Sequence, residues 1–221
     1  FTGDADAFFA AENTGVIGTD TRDRNVVGLF VTDEKVLANN YAGTENILAG
    51  YAMTTYEFNK FQFIGGLRVE TTDFTVNSAD ESKQQGRIDE VDFLPSANLI
   101  YSLTEDMKLR GSFSQTLARP NMREVAPFSA FDFIGGPIFT GNPELQRSLI
   151  QNFDLRWEMF PKAGEIIAVS AYYKNFDNPI IYAFIPSSQN PEIKPVNVDE
   201  ARIYGVELEY RKNLGFISNA L

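Results

Sequence analysis

Apolar and polar residues alternate with a period of two along most of this chain. In 107–116 (MKLRGSFSQT), Met107, Leu109, Gly111 and Phe113 fall on one parity, and Lys108, Arg110, Ser112, Ser114 and Thr116 on the other. That is the pattern of a strand with one apolar and one polar face. It predicts seven strands, over 45–58, 61–74, 93–104, 107–116, 150–160, 165–176 and 199–212. Phe61, Phe63, Gly65, Leu67 and Val69 oppose Gln62, Gly66, Arg68 and Glu70; Phe153, Leu155, Trp157 and Met159 oppose Asn152, Asp154, Arg156 and Glu158. Ile167, Val169, Ala171 and Tyr173 oppose Ser170, Tyr172 and Lys174, and Tyr204, Val206, Leu208 and Tyr210 oppose Gly205, Glu207 and Glu209. The first strand is the weakest, its alternation fading at Thr55 and Glu57. These runs exceed the usual strand of about 5–6 residues. They meet the roughly 9–11 residues that cross a bilayer at a tilt.

The connections carry as much information as the strands. Asn59-Lys60, Glu105-Asp106 and 161–164 (PKAG) are short, whereas 75–92, 117–149 and 177–198 are long. In an antiparallel meander odd and even connections lie at opposite ends, so every short turn falls at one end and every long loop at the other. Membrane barrels have that asymmetry; a soluble β-sandwich has no reason for it. Loops beyond about 12–15 residues are uncommon in compact domains. A barrel would set lipid against the apolar face and a lumen against the polar one; a sandwich would set core and water there. Residues 1–44 show no clean alternation and are expected to form a long loop, with one helical turn near 6–12.

Composition removes most catalytic chemistries. The chain has neither Cys nor His, so thiolate and imidazole metal sites, Cys nucleophiles and Ser-His-Asp triads are out of reach. Glu207/Glu209 and Glu57/Glu70 are nominal carboxylate pairs, but nothing local distinguishes them as glycosidase pairs; no catalytic residue and no cofactor is expected. The net charge of −11 gives no basic stripe for nucleic acid. Asp4, Asp6, Glu12, Asp20 and Asp23 lack the spacing of a calcium loop, so no metal site is assigned. Aromatics make up 13% of the chain, and several (Phe61, Tyr101, Phe160, Tyr173, Tyr204, Tyr210) fall near strand ends, where interfacial girdles form. The start at Phe1 without an initiator Met is expected of a piece cut from a longer protein.

Several segments together resemble the C-terminal half of the barrel of TonB-dependent outer-membrane receptors. They are SFSQTLARPNMREVAPF at 112–128, GNPELQRS at 141–148 running into NFDLRWEMFP, then AYYKNFDNPI and ARIYGVELEY. The Ser-x-Thr-x-Ala-Arg-Pro strand end followed by Gly-Asn-Pro-x-Leu is the most specific part, and the likeness spans 44–212. The resemblance implies an all-β, antiparallel meander of long strands belonging to a 22-stranded transmembrane barrel with long outer loops and a plugged lumen. It divides the chain into an extracellular loop region at 1–44 and a partial barrel at 45–221, without plug, TonB-binding box or closing strands. It implies a Gram-negative outer-membrane location and active import of a scarce nutrient (siderophore, cobalamin, glycan or peptide). Its partners would be TonB, the chain's own plug, outer-membrane lipid and the nutrient ligand. The alternatives are a passive porin-like or adhesin barrel, and a soluble carbohydrate-binding sandwich.

Candidate site residues follow from position. Arg119 and Arg123, with Asn142 and Glu144, fall at the mouth, where they contact ligand or plug or else anchor a loop. The polar-face charges Arg68, Glu70, Arg110, Asp154, Arg156 and Glu158, with Lys108, Glu207 and Glu209, are candidate plug contacts, or pair with one another. The sequence PNMREVAP predicts a short helix begun by Pro120 and stopped before Pro127. Phe131, Phe133, Ile138 and Phe139 offer either an apolar ligand surface or the packing of a folded loop.

Overall fold

The computed structural model describes residues 9–28, 37–131, 136–186 and 191–213. The chain divides into two units, 1–36 and 37–221. In the first, a 3-10 turn at Ala11–Asn13 precedes an antiparallel pair, β1 (Val16–Thr19) and β2 (Asn25–Val27). The pair is joined by a turn that Asp20 holds, accepting from Arg22 N, Arg24 N and the Arg24 guanidinium. Asp4 and Asp6 lie outside the described residues.

The second unit is built on β3 (Tyr41–Phe58), β4 (Phe61–Ser78), β5 (Gly86–Ser102), β6 (Met107–Ala118), β9 (Ser148–Met159), β10 (Ile166–Asp177) and β13 (Glu200–Arg211). These form one seven-stranded sheet in chain order, antiparallel throughout, with β3 and β13 at its edges. All seven expected strands are present. Most boundaries agree within two residues, but β4 runs on to Ser78 rather than 74 and two strands begin early. β3 begins at Tyr41 rather than 45, and β5 at Gly86 rather than 93, so the long loop expected over 75–92 shrinks to 79–85. The cause is a change of face chemistry. At the outer ends of β4 and β5 the inner face turns from charged to apolar, with Phe74, Val76 and Ile88 all buried.

Register sets the apolar face in continuous rows. Phe61, Tyr101, Leu109, Trp157, Val169 and Leu208 form one; Phe63, Leu99, Gly111, Leu155, Ala171 and Val206 the next; Phe113, Phe153, Tyr173 and Tyr204 a third. No second sheet covers it among the described residues: Leu155 is 54% and Leu208 80% exposed. A sandwich core would bury these groups. On β6 to β13 the apolar band stops at the Tyr173 row, and Gln115, Gln151, Asn175 and Arg202 follow; on β5 it climbs through Phe93 to Val91. A band that cuts diagonally across hydrogen-bonded rows is what strands tilted by about 35–45° require.

The two longest connections are folded rather than irregular. Residues 119–147 carry the helix α1 (Met122–Val125) and the strands β7 (Ser129–Phe131) and β8 (Ile138–Thr140); residues 178–199 carry β11 (Ile180–Ile185) and β12 (Glu192–Asn197). The strands join in one sheet ordered β11-β12-β8-β7, in which β12 and β8 run parallel. Phe74, Val76 and Ile88 pack against Val125, Ala126, Phe128 and Leu145 to make the main core.

Candidate functional site

The inner face of the large sheet carries two charge networks. In the lower one, register places Arg110 directly opposite Arg156, a like-charge pair that is unfavourable by itself. Glu158, buried between them, resolves it. Arg110 Nε donates to Glu158 Oε1 at 2.5 Å and Arg156 Nε to Oε2 at 3.1 Å. Arg156 extends the network to Ser170 Oγ at 3.0 Å and Glu209 Oε2 at 2.7 Å. Asp154 stands apart, accepting from Ser112 Oγ at 3.3 Å.

The upper network ties the 119–147 loop to the sheet. Glu70, 6% exposed, accepts from Arg68 Nε and Nη2 at 2.8 and 2.6 Å. Its other oxygen accepts from Arg119 Nη2, whose Nε donates to Thr72 Oγ1 at 3.0 Å. At the far end of the same loop, Arg147 Nε donates to buried Asp92 Oδ1 at 2.5 Å and Nη2 lies 3.6 Å from Glu90. Each end of 119–147 is therefore pinned by an arginine to one strand of the β4–β5 hairpin.

Between those pins the described residues are tied closely to their neighbours. The short helix expected after Pro120 is present as α1, and its cap is Asn121 rather than the proline: Asn121 Oδ1 accepts from Glu124 N and Glu124 Oε2 from Asn121 N, a capping box. Gly141 lies so close to the Ala126 carbonyl that an added Cβ would sit 1.9 Å from its oxygen, and one at Gly86 would sit 2.2 Å from Val125 Cγ1. Asn142 is buried, donating to the Pro195 carbonyl at 3.0 Å and accepting from Glu144 N at 3.2 Å. Arg123 lies 4.5 Å from the Phe139 ring centroid and 5.9 Å from that of Phe128. Glu124 accepts from the Tyr182 hydroxyl of the neighbouring loop, and this bond pushes the phenol above its ordinary value. Phe139 packs on the core while Phe131 is exposed; Phe133 lies outside the described residues.

Of the sequence-predicted residues, the fold gathers Arg68, Glu70 and Arg119 into one network and Arg110, Arg156 and Glu158 into another. Arg123, Asn142 and Glu144 share the loop above. Sequence reasoning missed Thr72, Asp92, Arg147 and Tyr182. Arg147 carried one signal: it immediately precedes β9 as Arg119 immediately follows β6, so the two bracket one loop.

No curated protein sequence matches the chain. Solved structures do. The siderophore receptor PirA of Pseudomonas aeruginosa superposes with a TM-score of 0.55 at 15% identity, over 79% of this chain and 40% of that one. The FrpB iron transporter of Neisseria meningitidis gives 0.56 at 14%, over 80% and 25%. The Serratia marcescens hemophore receptor HasR, solved with its hemophore HasA and heme, gives 0.60 at 13%, over 77% and 32%. The chain thus spans between a quarter and two fifths of these three structures. The family described as TonB dependent receptor-like, beta-barrel, matches residues 1–220, and with the meander, its uncovered apolar face and its charged inner wall this places the chain in that family.

Proposed function

We propose that this chain is a sector of the wall and mouth of an outer-membrane, TonB-dependent importer that captures a scarce nutrient. Residues 1–44 would form an outer loop region and 45–221 part of the barrel. Other strands of the full protein would pair with β3 and β13, and a plug would fill the lumen. The chain's own residues would supply a wall and a pinned mouth loop.

The observation that carries the reading is the inner face of β3. Tyr51 and Met53 are 73% and 69% exposed beside Arg68 and Leu94, on the face that also bears the ion pairs. A neighbouring strand will cover part of them. A water-filled pore has no use for such groups, whereas a plug packed inside would bury them. The solved relatives are by description receptors or transporters of a siderophore, iron and a heme carrier, which supports a metal-bearing nutrient. The apolar band would face lipid, and Arg68, Glu70, Arg110, Arg156 and Glu158 would set the polar surface against the plug.

The test uses the full-length protein from a purified outer-membrane fraction. A boiled sample that migrates differently from an unboiled one establishes a closed barrel. In planar bilayers the intact protein is expected to be electrically silent and a plug-deleted form to conduct. Steady conductance of the intact protein would instead identify a passive porin.

A further inference from the structure

The four-stranded sheet of the loops has two edges, and they differ. β7 is three residues long, and the 3-10 turn Leu37–Asn39, which leads into β3, lies against it. Tyr41 extends that contact, its ring centroid 5.2 Å from that of Phe128 just before β7. The other edge, β11, is six residues long and reads IIYAFI, without charge, proline or glycine. Among the described residues it pairs with β12 along its whole length on one side and with no strand on the other. Ile181, Tyr182, Phe184 and Ile185 are all exposed.

Every second residue of β11 turns its N–H and C=O away from β12. A long, apolar edge of this kind pairs with any strand it meets unless charge, proline, a bulge or a covering segment prevents it. β11 has neither charge nor proline, and its register on β12 is unbroken. Covering by another strand is the device that remains. The order of the sheet says where that strand comes from. β7 and β8 belong to the loop between β6 and β9, and β12 and β11 to the next loop, between β10 and β13. The sheet therefore steps through the loops in the order in which they follow along the wall, and past its β11 edge comes the loop after β13. β13 leaves the outer loops and runs toward the end where 59–60, 103–106 and 160–165 all make short connections. The next outer loop thus springs from the strand beside β13, about 4.8 Å further along the wall.

We propose that the first outer loop after β13 in the full-length protein adds a strand to β11, so that the loop sheet continues over a third loop and covers Ile181, Phe184 and Ile185. The proposal rests on the barrel reading, which supplies that loop, though not on the nutrient. A second copy of the chain competes for the same edge with its own β11, and so does any extended peptide. A loop tethered one strand away is present at a far higher local concentration than either.

The experiment is amide hydrogen exchange over 180–185 in the full-length receptor, purified in mild non-ionic detergent. It is compared with a form in which the first outer loop after β13 is replaced by a short Gly-Ser turn. Heat-dependent gel mobility checks that the barrel of each form is closed. In the intact receptor every amide of β11 is expected to be protected. In the replaced form alternate amides should exchange about tenfold faster, the loss of one hydrogen bond each. Ile181→Lys with Ile185→Lys, which charges the covered side chains and leaves the loop in place, should speed the same amides. With p-benzoylphenylalanine in place of Phe184, the cross-link is expected within one chain and onto that loop. Fast exchange of alternate β11 amides in the intact receptor overturns the proposal. So does protection that survives replacement of the loop, which assigns the edge to the plug or to a co-purified peptide. A cross-link between two chains assigns it to a second copy and also overturns it. Loss of the mobility shift in the intact receptor would instead mark failure of the barrel reading.

Discussion

Arg119, at the end of β6, reaches across β5 to donate to Glu70, a carboxylate buried on the inner face of β4. Arg68 serves the other oxygen of the same group, so Glu70 is shared by the wall and the loop. Arg119→Ala is therefore expected to loosen the loop by about 2–3 kcal/mol, less than a fully orphaned buried charge would cost because Arg68 remains. Arg119→Lys keeps the charge but not the fork that spans Glu70 and Thr72, and should fall between. Amide hydrogen exchange over 121–126 in the full-length receptor reads the difference directly.

The second pin behaves differently. Asp92 accepts from Arg147 at Oδ1 and has no donor at Oδ2. Removing Arg147 alone strands a buried carboxylate, an expected loss of about 3–5 kcal/mol. Replacing both, Arg147→Met with Asp92→Leu, should recover most of it, because an apolar pair needs no desolvation of charge. Thermal unfolding of the single and double variants tests this; additive losses would contradict it.

Gly86 and Val125 meet where the β5 strand passes under α1. Gly86→Ala places a methyl on Val125 Cγ1 and should cost about 1–3 kcal/mol by overpacking. Adding Val125→Ala should relieve most of that, since the obstructing atom is then absent. Gly141→Ala has no such remedy: its obstacle is the Ala126 carbonyl. Protease resistance of the loop at graded temperature ranks the four forms.

The two faces of β6 and β9 should respond oppositely to charge. Leu155→Arg puts a guanidinium in the apolar band and is expected to cost about 2–4 kcal/mol in a bilayer. Ser112→Arg, registered opposite Asp154 on the polar face, should be close to neutral. Urea-dependent folding of the full-length receptor into vesicles distinguishes them, and equal effects would contradict the assignment of faces.

The Tyr182–Glu124 bond gives the loops a pH limit. The phenol's value is raised by the carboxylate that accepts its proton. Its contribution is therefore complete below pH 10.0, the ordinary phenol value, and lost as pH rises through the raised one. Docking of 178–199 on 119–147, followed by a spin-label pair across the two loops, is expected to weaken only in strong alkali. Tyr182→Phe should weaken it at neutral pH and abolish the alkaline step.

Strands and faces were legible because period-two alternation survives wherever one side meets an apolar medium, as at Met107 to Phe113. The outer end of β5 was not. In Gly86 to Val91 the parity of Ile88 also carries Glu90 and the other parity Arg87 and Asp89, so no apolar face shows, and the partners that bury Ile88 lie in 119–147, far along the chain. The site divides in the same way. Residue types at the wall could be listed from parity, since Arg68, Glu70 and Arg110 alternate with apolar neighbours. Which carboxylate each arginine meets depends on register between strands and on the path of the loop, and neither is encoded locally. The parallel pairing of β12 with β8 left no trace at all in periodicity, for those strands are short and flanked by proline and glycine.

That pairing has a consequence for how receptors of this kind can be altered. Ile193 lies opposite Phe139 and Asn142 donates to Pro195, so the two outer loops share a single hydrogen-bonded frame. A chimera that exchanges 178–199 alone would leave β8 without its neighbour and the Asn142 amide without its acceptor. Grafts that carry both loops together should keep the frame, and natural variation at this mouth is expected to arrive in matched pairs.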